Sequence, residues 1–122
     1  MKDANTWRGE LISEIRTIAN PEKLARLWYG KDGLEISSFS EEVAHVFDDY
    51  DIDGFLAQDL ALSQLNEAQH VALQDFRDRF SDFIDRLGNR NVSAIDPKEI
   101  LDNPGWSLVV EKARRFLQLI DA

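Results

Sequence analysis

Large apolar side chains recur at alternating steps of three and four residues over four turns near the middle of the chain. They are Leu73, Phe76, Phe80, Phe83 and Leu87. This spacing lines up the side chains on one face of an α-helix. Asn66 and Gln69 form a capping box before it, and Gly88 is suited to a left-handed C-terminal cap. The pattern predicts a long central helix near residues 67–87, whose apolar face has to be buried against other helices.

Further helices are predicted on both sides of this one. Apolar steps of four, four and three predict a helix over residues 6–19, and Ser38 begins a capping box with Glu41. Asn-Pro or Asp-Pro pairs at residues 20–21, 96–97 and 103–104 are typical helix starts, and the turn at 51–54 is predicted to end the third helix. Because no segment alternates with a period of two, we expect an all-α fold. It is an irregular single-domain bundle of about five to seven helices spanning residues 1–122.

The predicted core of this bundle is aromatic. Six aromatic side chains are expected at its centre, namely Trp7, Phe39, Phe47, Phe76, Phe80 and Phe116. Trp28 is predicted to join the core, because its spacing with Leu24 is helical, whereas Tyr29 could lie in the core or at an interface.

The chain contains no cysteine, which excludes disulfides, thiolate metal sites and cysteine nucleophiles. The N-terminus lacks the basic and apolar regions of a signal peptide, and no apolar run approaches the roughly 18 residues of a membrane span. We therefore expect a soluble, cytoplasmic protein.

The negative charge is concentrated in residues 32–76, which contain eleven acidic residues and no Lys or Arg. The net charge of this segment is -11, whereas the other residues sum to +2 and the whole chain to -9. Nucleic acid and anionic membranes would be repelled by such a segment. The expected partner is a basic protein surface or a cation.

The centre of this segment is a candidate partner-binding site. Helical phasing turns the carboxylates of the third helix away from its apolar stripe, towards solvent. Carboxylates at a helix C-terminus oppose the helix dipole by about 0.3–1 kcal/mol each, so a role other than helix stability is indicated. The predicted binding residues are Glu41, Glu42, Asp48, Asp49, Asp51 and Asp53, with Tyr50 as an aromatic anchor.

An alternative is a calcium- or metal-binding protein with a degenerate EF-hand-like loop at residues 49–60. Asp49, Asp51, Asp53 and Gly54 match the first half of such a loop. Leu60 occupies the position of the bidentate glutamate that closes the coordination sphere. The second half therefore does not match, and a calcium titration would decide between the interpretations.

Both histidines follow a glutamate by three residues, as Glu42 and His45 and as Glu67 and His70. Di-iron helical bundles use this spacing, but their ligands project into the bundle. Here the helical wheel places both histidines outside the apolar stripes, so we predict surface residues, no resident metal and no cofactor. Serine-based catalysis has no support either, because Ser38 and Ser40 are explained by helix capping. The chain is therefore predicted not to be an enzyme.

A resemblance points to one class of binding protein. The stretches 27–30, 36–43 and 47–50, read as LWYG, ISSFSEEV and FDDY, are similar to small acidic bacterial immunity proteins of the contact-dependent growth inhibition or polymorphic toxin type. The resemblance covers residues 24–56 and assigns no residue roles. It implies a non-catalytic domain that neutralises a cognate basic toxin, such as a nuclease. An adaptor or regulatory subunit is the remaining interpretation.

Overall fold

The computed structural model describes residues 4–29, 38–87 and 96–122, and the all-α prediction is confirmed. No strand occurs in these three ranges. A π-helical turn at His45–Asp49 continues the third α-helix directly. The α-helices are α1 Ala4–Ile18, α2 Pro21–Tyr29, α3 Phe39–Ala44, α4 Ile52–Leu56, α5 Leu60–Ser63, α6 Glu67–Leu87, α7 Pro97–Leu101 and α8 Pro104–Asp121.

The long helix α6 is the centre of the bundle, as its periodicity predicts. It packs most extensively on α8, while α1 packs on α8 and α2, and α2 packs on α7. The capping box of α6 is formed by two reciprocal hydrogen bonds between Asn66 and Gln69, of 2.8 and 2.9 Å. Gly88 lies outside the described residues. In the described part of the chain, no helix combines the length and the apolar character that crossing a bilayer requires.

The core is aromatic, but its centre differs from the predicted one. Phe39 and Phe80 both contact Trp106 of α8, with ring centroids 5.7 and 5.5 Å apart. Trp7 and Phe47, expected at the centre, are only partly buried at its edge. Trp28 is buried, as predicted, whereas the side chain of Tyr29 is outside the described residues.

The segment after α3 also differs from the prediction, because residues 51–54 are not a simple turn. Asp51 adopts a left-handed conformation with φ 42° and caps α4, which begins at the next residue. Its carboxylate accepts a hydrogen bond of 3.1 Å from the backbone N–H of Gly54. Ile52 and Phe55 are almost fully buried. Burial of these two side chains draws the chain into a short helix, and Asp53, the acidic residue between them, is held on a fixed backbone.

Candidate functional site

Some of the predicted binding residues are exposed, and others are buried or form an ion pair. Glu41, Asp48, Asp49 and Asp51 are exposed. Residues three or four apart in a helix are neighbours, so Glu41 lies one turn before His45, and Asp48 and Asp49 lie one turn after it. We call Glu41, Asp48, Asp49 and Asp51 the acidic surface. Tyr50, the predicted anchor, is half-buried beside it.

Glu42 does not belong to this surface, and its prediction as a solvent-facing residue is wrong. The residue is only 2 % exposed. Helical phasing placed it away from the apolar stripe of α3, but α1 packs against the π-helical turn that continues α3 and covers that side as well. A helical wheel considers one helix alone, so it could not include this second packing partner.

Asp53 is exposed, but its carboxylate is paired. The Nε of Arg77 on α6 lies 2.7 Å from its Oδ1, and the Arg77 Nη2 also donates to its Oδ2 at 3.4 Å. This ion pair raises the pKa of the Arg77 guanidinium, chiefly through the hydrogen bond to Asp53. Asp53 therefore contributes less free charge to the surface than its four exposed neighbours.

The three aspartates of the EF-hand-like interpretation do not converge. Asp51 accepts from Gly54, Asp53 is paired with Arg77, and the Asp49 carboxylate lies 3.8 Å from Nε2 of His45. Within the described residues, the three metal-ligating side chains whose ligand atoms lie close together are a different set, Glu14, Glu42 and His45.

This second set, which we call the buried cluster, joins α1 to the end of α3. His45 Nδ1 lies 3.7 Å from Glu14 Oε1 and 4.0 Å from Glu42 Oε2. The ligand atoms of all three residues lie within 4.8 Å of one another. The side chains of Glu14 and Glu42 are 11 % and 3 % exposed, and that of His45 is 35 % exposed. Two carboxyl groups thus face one imidazole nitrogen in a largely dry environment.

The π-helical turn places a carboxylate beside Nε2, the second ring nitrogen of His45. The backbone N–H of Tyr50 donates to the carbonyl of His45 at 2.8 Å, a bond that spans five residues. Isolated π-helical turns within helices occur frequently at functional sites. Here the turn brings the exposed carboxylate of Asp49 to the Nε2 side of His45, while Nδ1 faces the two glutamates.

The pKa of one member of the buried cluster, Glu14, is strongly raised. Burial, together with the hydrogen bond and the repulsion from Glu42, raises the pKa of Glu14 to about 9. Lys23 opposes the shift and Asp49 adds to it. Two carboxylates that approach each other away from water repel strongly. Either one of them keeps a proton, which the pair can share, or a cation lies between them. The cluster can therefore hold a shared proton or bind a cation.

Glu14 was missed in the sequence interpretation, although a signal was present. It lies seven residues after Trp7, three after Leu11 and four before Ile18. These spacings place an acidic side chain on the apolar face of α1. His70, the other histidine, is half-buried with Nε2 3.1 Å from the carbonyl oxygen of Leu56, away from the buried cluster.

Comparison of the chain with protein-family models, with curated proteins and with solved structures finds no match.

Proposed function

We propose that this chain is an immunity protein: a non-catalytic, cytoplasmic helical domain that neutralises a basic toxin domain by docking the acidic surface on it. One observation carries the proposal. Glu41, Asp48, Asp49 and Asp51 are all exposed on one short segment. This segment lies within residues 32–76, outside which the protein has a net charge of +2, so the field of the molecule is directed by the acidic part of the chain.

The rigidity of the segment supports a docking role. Phe39, Val46, Ile52 and Phe55 alternate with the carboxylates and are buried. A side chain of this size that is fully buried contributes about 1.5–3 kcal/mol to the stability of the fold. Each of these buried side chains therefore opposes local unfolding. A charged surface that is ordered before binding loses little conformational entropy on association.

The chemistry of the proposed partner follows from the sign of the charge. A nuclease active site is cationic because it holds phosphate groups. An ordered set of carboxylates has the same sign of charge as these phosphates and can bind to the same cationic site. Complementary charge accelerates association and positions the partners. Tyr50 lies next to the carboxylates and is half-buried, which makes it the aromatic residue proposed to contact the partner at the edge of the acidic surface.

The test uses the purified product of the gene that adjoins this one in the native genome. Its association with the chain is followed by stopped-flow fluorescence at low and high salt. The test variant combines Glu41→Gln, Asp48→Asn and Asp51→Asn. Asparagine at position 51 keeps an oxygen for the Gly54 N–H and tolerates the left-handed conformation. Asp49 is left unchanged because it also faces His45.

The control variant removes the same charge elsewhere, with Asp85→Asn, Asp102→Asn and Glu111→Gln, all exposed. We expect the test variant to associate about tenfold or more slowly at low salt, and the control to stay within about twofold of the parent chain. High salt should remove most of the difference. The proposal fails if no complex forms, or if both variants associate equally fast.

The adaptor interpretation predicts the same docking but a different consequence. An immunity protein abolishes the activity of the bound partner and rescues cells that express it, whereas an adaptor leaves that activity unchanged. Co-expression of the two genes therefore separates these functions. For the EF-hand-like alternative, the test is a calcium titration of the Asp51→Asn variant beside the parent chain.

A further inference from the structure

We propose that Glu14, Glu42 and His45 form a binding site for one divalent transition-metal ion of the Zn²⁺ type. This site borders the acidic surface, with which it shares only Asp49, and its test requires no protein partner. The proposal stands on the donor set, the spacing of the donor atoms and the environment of the imidazole.

The donor set suits zinc better than calcium or magnesium. Calcium takes six to eight oxygen ligands, and magnesium is usually held by carboxylates with several waters. An imidazole nitrogen favours zinc and its neighbours in the first transition row, and two carboxylates complete a three-ligand protein site. Many zinc sites have three protein ligands, with a water in the fourth position.

The donor atoms already lie close to coordination distance. Ligands bonded to zinc at about 2.1 Å in tetrahedral geometry are separated by roughly 3.4 Å. His45 Nδ1 is 3.7 Å from Glu14 Oε1 and 4.0 Å from Glu42 Oε2. All three ligand atoms lie within 4.8 Å of one another, so small side-chain rotations would bring them onto one ion.

Two of these atoms also have unused bonding capacity. Glu14 Oε1 and His45 Nδ1 are buried and have no hydrogen-bond partner within the described ranges. A buried polar atom that lacks a partner costs about 1–3 kcal/mol. The two atoms lie 3.7 Å apart. A cation between them would coordinate both of them.

Asp49 lies 3.8 Å from the second ring nitrogen of His45, so a closer approach of its carboxylate would give the arrangement typical of metal-bound histidine. Such a histidine usually donates its second ring N–H to a carboxylate or a carbonyl, which fixes the tautomer and orients the ring. The Asp49 carboxylate lies 3.8 Å from His45 Nε2, on the side opposite the glutamates. Asp49 is thus a positioning residue that acts through His45 and does not contact the ion.

The backbones on both sides of the site are held by the core. Leu11 and Ile15 flank Glu14 on α1 and are buried, and Val46 beside His45 is buried as well. The bound ion would therefore cross-link α1 to the π-helical turn. A site of this kind is pre-organised, which limits the conformational cost of binding.

The experiment titrates the chelator-stripped full chain with ZnCl₂ by isothermal calorimetry, with CaCl₂ as the comparison ion. We expect one equivalent of Zn²⁺ to bind and Ca²⁺ to bind at least tenfold more weakly. Glu14→Gln, Glu42→Gln and His45→Gln should each weaken Zn²⁺ binding at least tenfold. The matched controls His70→Gln and Asp51→Asn should bind like the parent chain, because neither side chain reaches the site.

Asp49→Asn provides the test of positioning, with about a tenfold loss of affinity and unchanged stoichiometry. The spectrum of the Co²⁺-substituted protein supplies a second readout, because loss of His45 should change its ligand-field bands. His45 is partly exposed, so His45→Gln is expected to fold, and circular dichroism verifies this. A parent chain that does not bind Zn²⁺, or a folded His45→Gln variant that binds it equally well, would overturn the proposal.

Discussion

The indole N–H of Trp7 donates a hydrogen bond to the backbone carbonyl of Tyr50, which joins α1 to the end of the π-helical turn. The Trp7 ring also meets Phe55 edge to face, with centroids 5.4 Å apart. Trp7 and Glu14 are seven residues apart and therefore share one side of α1. The same side of this helix thus contacts both ends of the turn, Glu14 near His45 and Trp7 at Tyr50.

The Trp7→Phe substitution should therefore loosen the acidic segment without removing its aromatic contact. Loss of the indole hydrogen bond is expected to cost about 1 kcal/mol in the free energy of unfolding, measured by urea denaturation. Trp7→Ala, which also removes the ring, should cost about 3 kcal/mol. Equal stability of the Trp7→Phe variant and the parent chain would show that the hydrogen bond contributes nothing.

The raised pKa of Glu14 predicts a stability that falls as pH rises. In the unfolded chain the carboxyl releases its proton near pH 4.5, whereas the folded chain retains it up to about pH 9. Between these values the native state binds more protons, so the free energy of unfolding decreases with pH and levels off above about pH 9. Glu14→Gln removes this dependence and should be more stable than the parent chain by about 1–3 kcal/mol at pH 7.

This difference should shrink towards pH 4.5, where both states of the parent chain carry the proton. The measurement is a series of denaturation curves from acid to alkaline pH, in the presence of a chelator. Glu41→Gln, a change at an exposed neighbour of Glu42, is the control and should keep the fall in stability that Glu14 causes. A parallel pH profile for Glu14→Gln and the parent chain would contradict the assignment.

The cap of α4 gives a prediction that depends on two properties of Asp51. Asp51→Asn keeps the acceptor and tolerates the left-handed conformation, so stability should change by less than about 0.5 kcal/mol. Asp51→Ala removes the cap and strains the backbone, at a cost of about 2 kcal/mol.

A methyl group at Gly54 would collide with the Asp51 carboxylate. Gly54→Ala should therefore displace the cap and cost about 1 kcal/mol in thermal or urea unfolding.

Periodicity and capping predicted the helices correctly where local sequence determines them. The stripe of α6 and the Asn66–Gln69 box depend on residues within one or two turns, and both are confirmed. The same is true of the starts of α7 and α8, where Asp96 and Asn103 accept from backbone N–H groups. Local interactions can be recognised in a sequence because their spacing is fixed.

The candidate sites depend on contacts between residues that are far apart in the sequence. The spacing of residues along the chain does not reveal such contacts. Glu42 is buried because α1 packs on the other side of its helix, and Asp53 is paired with a residue 24 positions away. The π-helical turn arises within a continuous helical pattern and alters the phase by one residue. Only Glu14, an acidic residue on an apolar stripe, could have been identified in advance.

The pair between Arg77 and Asp53 provides the last prediction. The two side chains are 30 % and 57 % exposed, and exposed ion pairs contribute at most about 1 kcal/mol. Arg77 also lies 6.0 Å from the centroid of the Phe47 ring and pairs with Asp78 at 3.3 Å, so its loss removes three interactions. A double-mutant cycle with Arg77→Gln and Asp53→Asn isolates the ion pair, and we expect a coupling of about 0.5 kcal/mol at low salt, measured by urea denaturation. High salt should reduce this coupling towards zero, since the pair is partly solvated. A coupling above about 2 kcal/mol, or one that does not respond to salt, would show that Asp53 is held more firmly than its exposure indicates.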